Sequence, residues 1–147
     1  MDIKKLSLKI LPDRMAVCRF DPTAALPDWI AEVGFCSITR TRDELTIVCP
    51  ETHLAPGIRR EAGWRCFQVK GILDFSEIGI IFSLTRPLAE SGVSVFVIST
   101  FDTDYFMVKD NDLASLRENA EVVSFDDMGN GFNRPKSKNI AIVSTKN

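Results

Sequence analysis

Short runs in which apolar and polar residues alternate fill the first part of the chain, and this period of two is typical of strands with one buried face. Four such runs cover residues 6–11, 15–20, 35–39 and 45–49. Pro12 and Asp13 favour a turn between the first two runs. The charged residues 40–44 favour a hairpin between the last two.

One helix is expected in this part of the chain, over residues 24–33, because Pro27 lies in its first turn and Gly34 follows its end. Residues 50–63 contain two prolines and two glycines. This composition predicts a linker, with room for a helical turn over residues 54–61.

From residue 64 onward, the predicted elements follow a similar order, with a longer helix. A strand is predicted over residues 64–70, and a helix over residues 76–91 with Ser76 as N-cap and Gly92 as its C-terminal stop. Its apolar stripe consists of Ile78, Ile81, Phe82, Thr85 and Leu88. The later elements are a hairpin around residues 99–104, a helix over 112–119, a strand over 121–125 and, in a mobile tail, an edge strand over 140–143.

The second half therefore has the order β-α-β-β-α-β, the split βαβ pattern, and the first half has a shorter version of it. This order predicts an α+β fold of the ferredoxin-like βαββαβ type, built as two tandem halves with antiparallel sheets and helices on one face. The expected boundaries are residues 1–63 for the first half, 64–127 for the second half and 128–147 for a C-terminal tail.

Composition narrows the functional classes. Of the 147 residues, 45% are hydrophobic and 26% are charged, with a formal net charge of −2, which is typical of a soluble globular protein. No apolar run reaches the roughly 18 residues of a membrane span. The N-terminus resembles no signal peptide, and the scattered basic residues are a poor footprint for nucleic acid. We expect a cytoplasmic protein that binds neither membrane nor nucleic acid.

Little in the sequence points to catalysis or to a metal. Cys18, Cys36, Cys49 and Cys66 form no C-x-x-C pair, and His53 is the one histidine, so a zinc site is not expected. Four buried free thiols in a reducing compartment are the simpler interpretation. Cys49 and His53 are an alternative nucleophile pair, although chance explains their spacing better. We predict no catalytic residue, metal or cofactor.

Two polar segments are candidates for a ligand site. The predicted strand-to-helix loop, residues 71–80, offers the unpaired N–H groups of a helix start to a carboxylate, and Gly79 leaves room for close approach. Residues 99–104 carry two aspartates and three hydroxyls, which suit an ammonium group. We expect the strand over residues 93–100 to lie beside the strand over residues 64–70, so that both segments meet in one cleft for a zwitterionic amino acid. Helix capping and turn chemistry are the simpler alternatives.

These segments resemble the ACT domain. The resemblance rests on Asp-Phe-Ser-Glu-Ile-Gly-Ile at residues 74–80, on Pro-Leu-Ala-Glu-Ser-Gly-Val-Ser-Val at residues 87–95 and on Ile-Ser-Thr-Phe-Asp-Thr-Asp-Tyr-Phe-Met-Val at residues 98–108. It is specific over residues 67–113 and weaker over residues 6–48. The chain is similar to small bacterial tandem-ACT proteins, to the cytosolic arginine-sensor family and to the regulatory part of aspartate kinases.

ACT domains are ferredoxin-like modules that bind amino acids and regulate enzymes or partner proteins. The resemblance therefore implies a non-enzymatic amino-acid sensor that forms a homodimer and acts on a regulated enzyme or protein partner. It implies an ACT domain over residues 64–127 and a degenerate ACT-like half over residues 1–63, whose loop at residues 21–27 lacks the glycine and the Ser-Glu. The implied ligand-binding residues are Asp74, Phe75, Ser76, Glu77, Ile78, Gly79 and Ile80 on the carboxylate side and Ser99, Thr100, Phe101 and Asp104 on the facing wall.

Three alternatives stay open. A protein-interaction or structural ACT-like domain would need no ligand. An RNA-binding module would use the sheet face of the same topology, although the acidic balance and the lack of a K/R-G-F/Y-type strand disfavour it. A small enzyme would use Cys49 or His53. If a ligand binds, the acidic residues of both candidate segments favour a basic or a small neutral amino acid.

Overall fold

The computed structural model describes residues 6–69, 85–86, 88–113, 120–122 and 140–145. In these ranges the strands are β1 (Leu6–Phe20), β2 (Ser37–Arg40), β3 (Leu45–Pro50), β4 (Arg59–Val69), β5 (Val95–Ser99), β6 (Asp104–Lys109), β7 (Ala120–Val122) and β8 (Ile140–Thr145). The 3-10 helices are Asp28–Glu32, Glu51–His53 and Asp110–Asp112. The chain divides into two compact units. The internal segment, residues 13–64, forms the unit called here the inner unit, and the two terminal segments, residues 1–12 and 65–147, form the outer unit. Strands β1 and β4 contribute residues to both units.

In the inner unit, β2, β3 and β1 follow one another in the hydrogen-bonded order. Both pairings are antiparallel, with Arg40 and Phe20 each opposite Leu45 in its own ladder. The hairpin predicted around residues 40–44 is thus confirmed. Its turn is closed by the Thr41 N–H, which donates to the Glu44 carbonyl at 2.9 Å.

The core of the inner unit lies where the period-two alternation places it. The members that are 1% exposed or less come from β1 and β3, and they are Ala16, Cys18, Leu45, Ile47 and Cys49. Half-buried side chains of the connecting segments, including Trp29, Leu54 and Ile58, pack against them. Full burial of an aliphatic side chain contributes about 1.5–3 kcal/mol, so this cluster is the main source of stability in the unit.

The helix predicted over residues 24–33 was wrong in extent and type, because only the 3-10 helix Asp28–Glu32 forms. Pro27 precedes this 3-10 helix and Val33 follows it, and both are extended, with ψ of 146° each. None of the residues of the helix is buried. The preceding backbone is held by a side chain instead of by helical hydrogen bonds. Arg40 donates to the carbonyl of Pro22 and, at 2.8 Å, to the carbonyl of Ala24.

The turn predicted at Pro12 and Asp13 was also wrong, because β1 continues through both residues. Leu8 and Ile10 are buried before the proline and Met15, Ala16 and Cys18 after it. Pro12, Asp13 and Arg14 between these two groups are exposed. Proline lacks an N–H donor but adopts extended φ readily, so a strand tolerates it where the ladder needs no donor.

Residues 50–63 contain regular structure, although they were predicted to be a linker with a helical turn over 54–61. The 3-10 helix Glu51–His53 comes first, and β4 begins at Arg59. Glu51 ties the segment back on itself, because its carboxylate accepts the Gly63 N–H at 3.2 Å and lies 3.8 Å from the Arg14 guanidinium.

In the outer unit the strand order is β4, β6, β5. The predicted hairpin is confirmed, since β5 pairs antiparallel with β6 and Ser99 lies opposite Asp104 at its closed end. The expectation that the strand over residues 93–100 lies beside β4 was wrong, because β6 lies between them. Residues of β4 contact β6 and the residues that flank it, and the two segments run in opposite chain directions. The contacts join Arg65 to Asp110, Phe67 to Phe106 and Val69 to Thr103.

The predicted strand over residues 140–143 exists as β8, but it is not an edge strand. It pairs antiparallel with β1, where Leu8 lies opposite Ile140, and with β7, where Val122 lies opposite Ile142. A six-residue strand with partners on both sides replaces the expected edge. Of the strand predicted over residues 121–125, residues 123–125 lie outside the described residues.

The predicted stop of the long helix at Gly92 is confirmed. Residues 85–86 and 88–90 are helical, and Gly92 has a φ of +75°. The Gly92 N–H donates to the Ala89 carbonyl at 3.0 Å, and the Val93 N–H donates to the Leu88 carbonyl at 2.9 Å. These two bonds and the buried pair Leu88 and Val93 form a Schellman motif. Of the helix predicted over residues 76–91, residues 76–84 and Pro87 lie outside the described residues. The same holds for residues 114–119 of the helix predicted over residues 112–119.

The described strands thus pair in antiparallel fashion with few helical residues, as in the ferredoxin-like fold in general. The arrangement as two tandem similar halves and the placement of helices on one face stay predictions.

Candidate functional site

The turn between β5 and β6 is held by its own threonines. The Thr100 N–H and the Thr100 hydroxyl both donate to the Thr103 carbonyl at 2.9 Å. In return, the Thr103 N–H donates to the Thr100 hydroxyl oxygen at 3.2 Å. This exchange satisfies the polar groups on both sides of the turn, so that the intervening residues are presented on a defined backbone.

A second bond anchors this turn to β4. The Thr103 hydroxyl donates to the carbonyl of Val69, the last residue of β4, at 2.8 Å, and Thr103 is only 5% exposed. The strand-to-helix loop predicted over residues 71–80 follows Val69 after one further residue and lies outside the described residues. The hydrogen bond therefore joins the hairpin turn to the end of β4, although β5 itself is not the neighbour of β4.

The predicted residues of the hairpin wall cluster at this turn. Ser99 and Asp104 lie directly opposite each other in the ladder, which places their side chains on one face. Thr100 is exposed, Asp104 is half-buried, and Phe101 is 82% exposed.

The residues predicted on the carboxylate side lie outside the described residues, and they stay predictions. They are Asp74, Phe75, Ser76, Glu77, Ile78, Gly79 and Ile80.

Sequence reasoning missed Thr103 as an individual site residue, since it was counted only among the hydroxyls of the segment. The available signal was a β-branched residue between Asp102 and Asp104, where turn chemistry by itself favours smaller or more flexible side chains. Its buried partner is 34 residues away in the chain, so no local pattern could identify the contact.

Behind the turn the sheet is firmly packed. The rings of Phe67 and Phe106 stack with centroids 5.0 Å apart, and both side chains are fully buried. Burial raises the pKa of the Tyr105 phenol, and Cys66 and Asp102 add to this effect, so Tyr105 remains neutral at ordinary pH. The strands that end at the turn thus carry a buried aromatic pair, and the residue after Asp104 is a phenol that is neutral at ordinary pH.

The nucleophile pair considered for the inner unit is not activated. The Cys49 thiol is buried 4.0 Å from the Cys18 sulfur, and the bond to Cys18 together with burial raises its pKa. His53 is exposed and stacks on Trp29, with ring centroids 5.4 Å apart. Cys36 is half-buried, whereas the other three cysteines are buried as expected.

The described part of the chain shows neither a metal-binding cluster nor a membrane-spanning helix. Among these residues, no group of three or more His, Cys, Asp or Glu side chains is arranged to hold a metal ion. No helix within the same ranges has the length and apolar character needed to cross a membrane.

Comparison with known families assigns most of the chain to two models. A model described as an ACT domain matches residues 59–115, from the first residue of β4 to just beyond β6. A second model, described as an N-terminal domain, matches residues 13–56, which lie within the inner unit.

Several solved structures are similar to this chain over most of its length. Protein Atu0741 from Agrobacterium tumefaciens is 40% identical, with a TM-score of 0.73 over 78% of this chain and 86% of that one. VC0802 from Vibrio cholerae, described as a protein of unknown function and possible transport protein, is 19% identical, with a TM-score of 0.62 over 77% and 85%. The regulatory subunit of aspartate kinase from Thermus thermophilus is 10% identical, with a TM-score of 0.48 over 71% and 89%.

The match to the ACT domain model covers β4, β5, β6 and the anchored turn between the last two. The likeness to Atu0741 extends over more than three quarters of the chain at 40% identity. Residues 59–115 of this chain belong to the ACT domain family.

Proposed function

We propose that this protein is a non-enzymatic regulatory module that binds an amino acid between the segment after β4 and the turn between β5 and β6. The observation that carries the proposal is the 2.8 Å hydrogen bond between the Thr103 hydroxyl and the Val69 carbonyl. It brings the hairpin turn to the end of β4, two residues before the first residue of the proposed carboxylate-binding loop, and this supports the proposal.

The hairpin side supplies the groups for an α-ammonium. Carboxylates and hydroxyl oxygens accept charge-assisted hydrogen bonds, which are about twice as strong as neutral ones. Ser99 and Asp104 share one face of the ladder, Asp102 is exposed in the turn, and Phe101 offers an aromatic surface for the ligand's side chain or for the cation.

The other side of the proposed site is formed by residues 74–80. There, backbone N–H groups at a helix start and the Ser76 hydroxyl would bind the α-carboxylate. The combination recognises the zwitterion and leaves the ligand's side chain to decide specificity. We further propose that the protein is a cytoplasmic homodimer and that ligand binding shifts its association with a regulated enzyme or protein partner, by no more than its differential affinity for the two states.

A thermal-shift screen with the twenty proteinogenic L-amino acids tests the proposal. A ligand present at about 100 times its Kd adds roughly 2.7 kcal/mol, which raises the melting temperature of a chain of this length by several degrees. The Asp104→Asn variant should lose most of that shift. Asp43→Asn is the matched control, because Asp43 is an exposed aspartate in a turn of the inner unit, and it should keep the wild-type response.

A domain that binds another protein without a ligand is the second candidate, and the 82% exposure of Phe101 favours it. A flat screen on protein that is folded and carries no copurified amino acid would reject the sensor. Loss of a captured partner in Phe101→Ala, with the fold intact, would then support the interaction domain.

A further inference from the structure

The hydrogen bond between the Thr103 hydroxyl and the Val69 carbonyl is not needed to hold the hairpin of β5 and β6 together. Five residue pairs, from Val95–Val108 to Ser99–Asp104, already join β5 to β6. The turn is closed by its own bonds between Thr100 and Thr103. The Thr103 hydroxyl instead reaches out of the hairpin to the last carbonyl of β4.

We propose that Thr103 is a positioning residue that couples the turn between β5 and β6 to the end of β4 and thereby keeps the amino-acid site in its binding-competent geometry. This inference rests on the proposed function. Thr103 does not contact the ligand in this scheme, because its hydroxyl is engaged with Val69 and its side chain is buried.

The chemistry of the contact supports this role. Thr103 presents a hydroxyl at one end and a methyl group at the other, and both are held by β-branching in few rotamers. Its N–H and its carbonyl are both bonded to Thr100, so a change at Thr103 also reaches the exposed part of the turn. A displacement of Val69 is therefore transmitted to residues 100–103 through consecutive hydrogen bonds.

The expected loss of affinity follows from the fraction of protein molecules that hold the binding-competent geometry. Without the hydroxyl, the Val69 carbonyl lacks its buried donor, and the turn and the end of β4 can separate to admit water. The apparent affinity of a ligand falls in proportion to the fraction of binding-competent protein. Loss of one such bond, worth about 1 kcal/mol, therefore reduces the apparent affinity by up to about tenfold.

Three variants test this inference. Thr103→Val keeps the branched shape and removes the hydroxyl, whereas Thr103→Ser keeps the hydroxyl and removes the methyl group. Ile47→Val is the stability control, because Ile47 is fully buried in the inner unit and takes no part in the hairpin of β5 and β6. The amino acid that most raises the wild-type melting temperature in the screen is titrated into each folded variant by calorimetry, well below its melting temperature.

We expect Thr103→Val to bind about tenfold more weakly, and Thr103→Ser and Ile47→Val to bind like the wild type. This pattern separates positioning from general stability, since Ile47→Val also lowers the melting temperature. Equal affinity of Thr103→Val and wild type would overturn the inference while leaving the proposed function intact.

Amide hydrogen exchange provides a second readout that needs no ligand. In Thr103→Val, peptides containing residues 66–70 and 99–104 should exchange faster than in the wild type, whereas Thr103→Ser should retain wild-type exchange. If no amino acid binds the wild-type protein, the proposed function fails and exchange alone judges the coupling. Unchanged exchange at residues 66–70 in Thr103→Val overturns it.

Discussion

Phe67 on β4 and Phe106 on β6 stack with their ring centroids 5.0 Å apart and their planes inclined by only 6°. Neither side chain has measurable exposure. This pair joins the two strands whose ends carry the proposed site, so the geometry of the site depends on a packed aromatic contact beneath it.

Truncation of one ring of this contact should lower the free energy of unfolding. Phe106→Ala is expected to lower the free energy of unfolding by about 3–5 kcal/mol, because it removes a buried ring and leaves a cavity. Urea denaturation followed by circular dichroism measures the change. Phe101→Ala, which truncates a ring that is 82% exposed, should change stability by less than about 0.5 kcal/mol. Similar losses in both variants would contradict the assigned burial.

The ion pair between Arg65 and Asp110 should matter more than its distance suggests. Its atoms are 3.7 Å apart, but the Arg65 side chain is only 6% exposed. Removing a partner from a buried charge is costly, and the partial exposure of Asp110 moderates the loss in Asp110→Asn to about 1–2 kcal/mol. Chemical denaturation provides the measurement.

Arg86 and Glu90 form the comparison for that prediction. They approach to 2.7 Å, yet both side chains are about half exposed. Exposed helical pairs contribute about 0.3–0.5 kcal/mol, so Glu90→Gln should lose no more than that. A larger loss in Glu90→Gln than in Asp110→Asn would show that distance outweighs burial in this protein.

Alkaline pH should destabilise the fold through Cys66. Burial raises the pKa of this thiol from 9.0 to about 12, so above about pH 9 the unfolded chain loses a proton that the folded chain retains. Stability therefore falls as pH rises through this window, by about 1.4 kcal/mol per pH unit for one such group. Denaturation between about pH 9 and about pH 10.5 measures the slope.

The slope should be shallower in Cys66→Ala, which removes the titrating group. Val108→Ala, which shortens another fully buried side chain of the outer unit, should lose stability at every pH but keep the wild-type slope. If the slope in Cys66→Ala equals the wild-type slope, Cys66 does not cause the alkaline loss.

Gly92 should resist replacement because of its backbone and not because of its surroundings. Its φ is +75°, yet a Cβ at this position would meet no atom of the described residues within 4 Å. Gly92→Ala should therefore cost about 1–2 kcal/mol from left-handed strain. Gly34→Ala has the same open space without a positive φ, so thermal denaturation should place it close to the wild type.

The anchored turn illustrates how far sequence reasoning reached at the candidate site. The composition of residues 99–104 identified a polar segment, and the register of Ser99 with Asp104 confirmed its hairpin. The partner of Thr103 could not be predicted, because the order of strands in a sheet depends on pairings between distant segments. The same limit explains the wrong expectation that residues 93–100 neighbour β4.

Local chemistry alone determined several features of this protein. Period-two alternation identified the strands, and Gly92 identified the helix end, because backbone sterics act within a few residues.

Tertiary structure decided the rest. It placed β6 between β4 and β5, gave β8 two neighbours and buried the Thr103 hydroxyl against Val69. It also reduced residues 24–33 to one short 3-10 helix, because Arg40 binds the carbonyls just before it. These outcomes depend on hydrogen-bond partners and packing surfaces that are far apart in the chain, and such partners become neighbours only when the sheet assembles.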